Sequence, residues 1–187
     1  SSAASDVYKR QMLNSILSSI ARIDYVKPED IPNIDLYMDQ VTTFMEEQLS
    51  STKRHEEDKI LTKTMINNYA KNHLLPPPVK KKYSREHVLV MIFIYYFKNI
   101  LSIKDIETML APVTKEYFGS GDFNMTQIYE EICSLEKSRI DTLAKDVARS
   151  YQSAEETFAD RPEEERKYLR LFSFICNLSF DVYVKKL

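Results

Sequence analysis

The chain of 187 residues holds two glycines, where average usage of about 7% would give roughly a dozen. Gly-rich phosphate loops, dinucleotide fingerprints and hairpin-rich β folds all draw on positive-φ backbone, which glycine supplies most easily. Without them, a helical chain is the expectation. Cysteine is equally scarce. Cys133 and Cys176 lie far apart and neither belongs to a C-x-x-C. Three histidines, His55, His73 and His87, are scattered. No metal-ligand cluster follows from such spacing, so neither a metal nor a cofactor is expected. Two cysteines without a secretory signal suit a reducing, cytoplasmic setting. The longest apolar run, Val88 to Phe97, has ten residues and is too short to span a bilayer. There is no nucleophile elbow and no H-E-x-x-H, so no enzyme is expected.

What is present is apolar material and uneven charge. Apolar residues make up 43% of the chain, enough for a core. Net charge is −2, but Lys59 to Lys104 carries eight Lys and one Arg against one acid, Glu86. That stretch is +8 and the remainder −10. Such asymmetry separates a polyanion-binding module from an acidic partner region.

Ser1 to Gln11 resembles the in-frame translation of a sequencing adapter and reads as a non-native tail, with the natural chain expected to start at or near Met12. Met12–Tyr25 is an amphipathic helix candidate carrying Leu13, Ile16, Leu17, Ile20 and Ile23. Pro28 and Pro32 break it. Asp35 is expected to cap a helix to about Leu49, followed by a polar loop from Ser50 to Lys59. Thr62 caps a helix to about Asn72. Pro76 to Pro78 predict an extended segment through Lys82. Ser84 caps the next helix. Ser102 and Asp105 predict a capping box opening a helix that ends before Pro112. Gly119 and Gly121 mark a turn. A long helix follows from about Met125, with Ile128, Ile132, Leu135, Ile140, Leu143, Val147 and Tyr151 near one stripe. The last helix begins after Pro162. It is apolar on nearly every face, which predicts central burial.

The pieces TKTMINNYAKNHLLPPP (Thr62 to Pro78), KKKYS (Lys80 to Ser84) and ILSIKDIETML (Ile100 to Leu110) follow one another in an order that resembles the winged helix-turn-helix of the MerR family. That resemblance covers about 50 residues. More closely, Ile31 through Leu110 resembles a family of unknown function from Gram-positive bacteria that pairs a MerR-like domain with a helical C-terminal region. The resemblance implies an all-α fold with a DNA-binding domain at 30–111 and a helical dimerisation or effector domain at 112–187. It also implies double-stranded DNA as partner and transcription regulation as function. Asn67 falls where MerR proteins usually carry a DNA-contacting Arg. Asn68 and Tyr69 fall on a Tyr pair. Ser50 to Lys59, with Glu56, Glu57 and Asp58 and no glycine, stands where MerR proteins have a short Gly-containing turn.

The residues themselves suit this role. Met65, Ile66, Tyr69 and Ala70 form an inward face. Lys63, Thr64, Asn67, Asn68 and Lys71 form an outward one. Asn can bond adenine at two points and Lys can neutralise phosphate. Lys80, Lys81 and Lys82 would lie along a backbone as a wing, and Arg85 would join them. The plainer alternatives are a solvated loop at Lys80 to Lys82 and ordinary surface residues at Asn67 and Asn68. His73 and His87 read as a helix-end residue and a first-turn surface residue. In the second half, Ile128, Ile132, Leu135, Leu143 and Val147 are candidate homodimer contacts. Tyr168, Phe172 and Phe174 could meet a small-molecule effector. The alternative function is a helical interaction module that has lost DNA binding.

Overall fold

A computed structural model describes residues 7, 10, 11, 13–15, 17, 18, 25–53 and 56–184, with backbone only at 136–138, 140 and 179–184. The adapter-like tail and the first helix candidate therefore lie largely outside the described residues. The chain is mostly helical, as expected, and the described residues hold one two-stranded sheet. It divides into two units: Tyr25–Ser134, and Leu135–Leu187 together with Ser1–Asp24.

The first unit opens on a 3-10 turn, Pro28–Asp30, and a short strand β1, Leu36–Tyr37. Helix α1, Met38–Leu49, follows at once. Its N-cap is Tyr37, not the expected Asp35, and the Gln40 Oε1 accepts the Tyr37 N–H at 2.9 Å. The cause is tertiary. β1 pairs antiparallel with β2, Lys82–Tyr83, in the register Leu36 to Tyr83 and Tyr37 to Lys82, so the chain stays extended until Tyr37. Helix α2 is Lys63–Lys71, α3 Arg85–Phe97 and α4 Ile103–Tyr117. The Ser102–Asp105 box forms as expected, the Ser102 Oγ accepting the Asp105 N–H at 3.2 Å.

Pro112 does not end α4; it lies inside it. The apolar stripe Ile106, Leu110, Val113 and Tyr117 passes straight across the proline and packs on the core. Pro112 itself is on the exposed face, where water can take the hydrogen bond its missing N–H denies to the chain. Packing of the stripe outweighs the local breaker.

The core centres on α3. Every residue from His87 to Tyr95 is buried. Around it pack Val41, Met45 and Leu49 of α1, Ile66 and Tyr69 of α2, and Ile106 and Leu110 of α4. The second unit contains α5 from Leu135 onward (the whole helix is Met125–Glu155) and α6, Glu163–Val184. Val147, Ala154 and Phe174 form its buried centre, with Tyr151, Leu13 and Leu17 against it. Central burial of α6, expected from its composition, is not found over its described side chains, 163–178. Tyr168 and Phe172 are each 68% exposed, and only Phe174 among the described residues is buried.

Candidate nucleic-acid interface

Helix α2 starts where Thr62 Oγ1 accepts the Met65 N–H at 3.2 Å. Ile66 and Tyr69 turn inward and are buried, and burial pushes the Tyr69 phenol pKa up. Lys63, Thr64, Asn67, Asn68 and Lys71 are all exposed, on the face read from the sequence. Lys63 is ion-paired with Asp39 of α1. Both side chains are well exposed, so the pair is weak and easily exchanged. The helix closes in a Schellman motif: the Leu74 N–H reaches the Tyr69 carbonyl at 2.9 Å and the His73 N–H the Ala70 carbonyl at 3.2 Å. The left-handed residue such a motif needs is His73, at φ 57°. Glycine usually fills that place.

Beyond Pro78 the chain does not stay extended through Lys82, as the prolines suggested. It reverses in a two-residue hairpin. The Val79 N–H donates to the Lys82 carbonyl at 3.1 Å and the Lys82 N–H to the Val79 carbonyl at 2.9 Å. Lys80 and Lys81 are the two central residues, at φ 50° and 64°. Positive φ at both is the requirement of a type I′ turn, whose usual signal is Asn-Gly. Lys-Lys hides that signal. Both lysines are exposed, while Lys82 is half-buried with its Nζ 5.1 Å from the centre of the Tyr37 ring. Val79 and Tyr37 are exposed beside them.

Arg85, expected on phosphate, is committed elsewhere. Its guanidinium donates to the Ile31 carbonyl and, at 2.6 Å, to the Pro28 carbonyl. It tethers the segment that leads into β1. Glu86, the one acid of the basic stretch, is also an internal strut. Its Oε2 accepts the Gly119 N–H at 2.6 Å and its Oε1 the Met125 N–H at 3.0 Å. Lys98 is half-buried, donating to the Ile60 carbonyl at 2.9 Å and lying over Tyr95, and desolvation lowers its pKa. So the +8 of the stretch overstates what faces outward; Lys63, Lys71, Lys80 and Lys81 are its exposed members on the expected site.

His87 corrects the sequence reading most sharply. Far from a surface residue, it is 2% exposed. Its Nδ1 accepts the Ser84 N–H at 3.0 Å and lies 2.8 Å from Ser84 Oγ. Its Nε2 is 3.2 Å from the Pro77 carbonyl, which can only accept, so the ring is neutral with its proton on Nε2. Tyr83 and Phe118 pack edge-on against it at 5.6 and 4.7 Å. Desolvation holds its pKa below 6.5, against an opposing pull from the Pro77 bond and the Asp35 and Glu86 charges. The S-x-x-H spacing at Ser84 was the available signal: it is the capping-box spacing with His in place of Glu.

Beside the N-terminus of α2, an open cleft of about 550 Å³ is lined by Glu46, Glu47, Glu56, Glu57 and Asp58, with Lys53 and Lys59. The acids read from the loop thus gather along α1 and the loop. The family model for a domain of unknown function, DUF1836, matches residues 26–132. The chain belongs to the DUF1836 family. Neither a curated protein nor a solved structure matches it. The match spans nearly the whole of the first unit, so β1, β2 and α1 to α4 lie within the DUF1836 domain.

The expected dimer stripe of this DUF1836 chain is divided. Ile128 is half-buried and packs on the first unit's core, and Val147 is buried in the second unit. Ile132, Leu135 and Leu143 are exposed, at 37%, 60% and 40%. The five-residue step between Leu135 and Ile140 begins where the unit boundary falls. Among the described residues, no group of His, Cys, Asp and Glu could hold a metal, and no helix is long and apolar enough to cross a membrane.

Proposed function

We propose that the DUF1836 domain is the DNA-binding part of a cytoplasmic transcriptional regulator, built as a MerR-like winged helix-turn-helix. The observation that carries this is the Lys80–Lys81 turn. A non-glycine residue at positive φ costs about 1–2 kcal/mol. Here two such residues are adjacent, exposed and of one charge. Neither forms an ion pair with an acid among the described residues. The turn's two backbone bonds hold its shape, but no acid among the described residues neutralises its two charges; a phosphate backbone would. The exposed face of α2 supports the same reading. Lys63, Thr64, Asn67, Asn68 and Lys71 suit a major groove, with Asn67 and Asn68 able to read adenine.

In this reading the protein acts as a homodimer on a symmetric site, with Ile132, Leu135 and Leu143 the exposed apolar contacts. Tyr168 and Phe172, exposed on α6, are the aromatic surface offered to a small-molecule effector. Arg85 drops out of the phosphate contacts, because both its terminal nitrogens serve backbone carbonyls. The test is an electrophoretic mobility shift with Lys80, Lys81 and Lys82 all changed to Glu. The expected result is weaker binding to every duplex. Asn67→Ala is expected to change which sequences a random duplex pool yields. Unchanged mobility of the triple variant would sink the wing assignment. Absence of any salt-dependent duplex affinity, with a co-purifying protein, would favour an interaction module instead.

A further inference from the structure

Resting on the DNA-binding reading of the wing, we propose that His87 is a positioning residue that locks the lysine hairpin at its base, and that protonating it releases the hairpin. The hairpin begins after Pro77 and ends at Ser84. His87 holds both ends with one ring: Nε2–H donates to the Pro77 carbonyl at 3.2 Å, and Nδ1 accepts the Ser84 N–H at 3.0 Å. The ring is buried and comes from α3, the most buried helix of the unit, so the hairpin is anchored to the rigid centre. Tyr83, the last residue of β2, packs edge-on to the same ring. Phe118 closes it from the turn after α4.

Both nitrogens are in use, one as donor and one as acceptor. A protonated imidazole has two donors and no acceptor. Ser84 Oγ, 2.8 Å away, can take the new Nδ1 proton, but the Ser84 N–H loses its acceptor and a buried charge would lie between two aromatic rings. The charged groups facing the ring are Asp35, ahead of β1, and Glu86, its neighbour on α3. Both favour the proton, yet both Glu86 oxygens are already spent on the Gly119 and Met125 N–H groups. The Pro77 carbonyl bonds the charged ring at least as well, so the cheapest relief is to let the Ser84 end move away, which loosens the turn carrying Lys80 and Lys81. The expected sign is unusual. Acid makes most proteins more positive and raises their affinity for duplex DNA; here it lowers affinity by freeing the wing.

The experiment follows hydrogen exchange at the Ser84 amide, alongside affinity for duplex DNA, from about pH 7.5 to about pH 5.0. Full-length protein is compared with His87→Gln and with Lys80→Glu/Lys81→Glu. Gln at this position completes a standard capping box and accepts the Ser84 N–H without titrating. Circular dichroism checks that each variant stays folded. In the unaltered protein, Ser84 protection, corrected for the intrinsic pH dependence of exchange, is expected to fall roughly tenfold and duplex affinity roughly fivefold. The His87→Gln variant is expected to show neither fall. Ser84 protection that holds down to the acid end overturns the lock. Lost protection with unchanged affinity, in a protein whose lysine variant binds poorly, overturns its control of binding while leaving the wing assignment intact. If the lysine variant binds as well as the unaltered protein, the wing assignment itself has failed, and the exchange data alone decide whether His87 locks the hairpin.

Discussion

Among the described residues, four non-glycine residues stand at positive φ: His73, Lys80, Lys81 and Phe158. One of the two glycines, Gly119 at φ 74°, does the same work in the turn before α5. Scarcity of glycine therefore did not remove left-handed backbone; it shifted the cost onto other side chains. His73 takes a helix-closing place with no ligand in prospect, so His73→Gly is expected to stabilise the fold by about 0.5–1 kcal/mol, read from a urea midpoint. Arg85 behaves oppositely. Its two carbonyl bonds tie 28–31 to α3, and Arg85→Met is expected to cost about 2 kcal/mol or more without altering affinity per folded molecule. His87 sets the pH dependence of stability. Its folded pKa lies below 6.5, so in acid the unfolded chain binds the extra proton more readily than the folded one. Stability is full above about pH 6.5 and falls as pH drops toward the folded pKa. Urea midpoints measured down this range should fall less for His87→Gln than for the unaltered chain. Parallel curves would contradict that assignment.

At the scale of elements, local chemistry was easy to read and tertiary choices were not. Thr62 capping α2, Ser84 opening α3 and the Ser102–Asp105 box opening α4 were all legible, because each depends on three or four consecutive residues. The outward face of α2 followed from its period. By contrast, the start of α1 depends on β1 pairing with Lys82 and Tyr83, about 45 residues away, and no local signal reports that. The Lys80–Lys81 reversal was hidden because its residues are not turn formers. The burial of His87 depends on Tyr83, Phe118 and the Pro77 carbonyl closing round it. Pro112 is a local signal overruled by a long stripe. Pro112→Ala is accordingly expected to stabilise α4, by up to about 3 kcal/mol from restored helix propensity and one added hydrogen bond, measured by denaturant unfolding. A loss of stability there would mean that the proline shapes the packing of Val113 and Tyr117.

Across the whole molecule, apolar burial is uneven. Among the described residues, the first unit, Tyr25–Ser134, holds an extensive buried core, while the second shows Val147, Ala154 and Phe174 as buried centre. The DUF1836 match, 26–132, lies wholly within the better-packed unit, so that unit is expected to behave as the folding domain. A fragment of residues 25–134 is expected to unfold cooperatively alone, and a fragment lacking it is not. The same unit carries α2, the lysine hairpin and the His87 lock, so the proposed contact with DNA rests on it. The most direct test of that contact replaces Lys80 by Asn and Lys81 by Gly. Asn-Gly is the turn's preferred pair, so the variant relieves the backbone while removing both charges. The expected result is a higher melting temperature, weaker binding to all duplexes, and a shallower log affinity against log salt slope, by roughly two units. A variant that is more stable yet binds duplex DNA with unchanged affinity and slope would contradict the account.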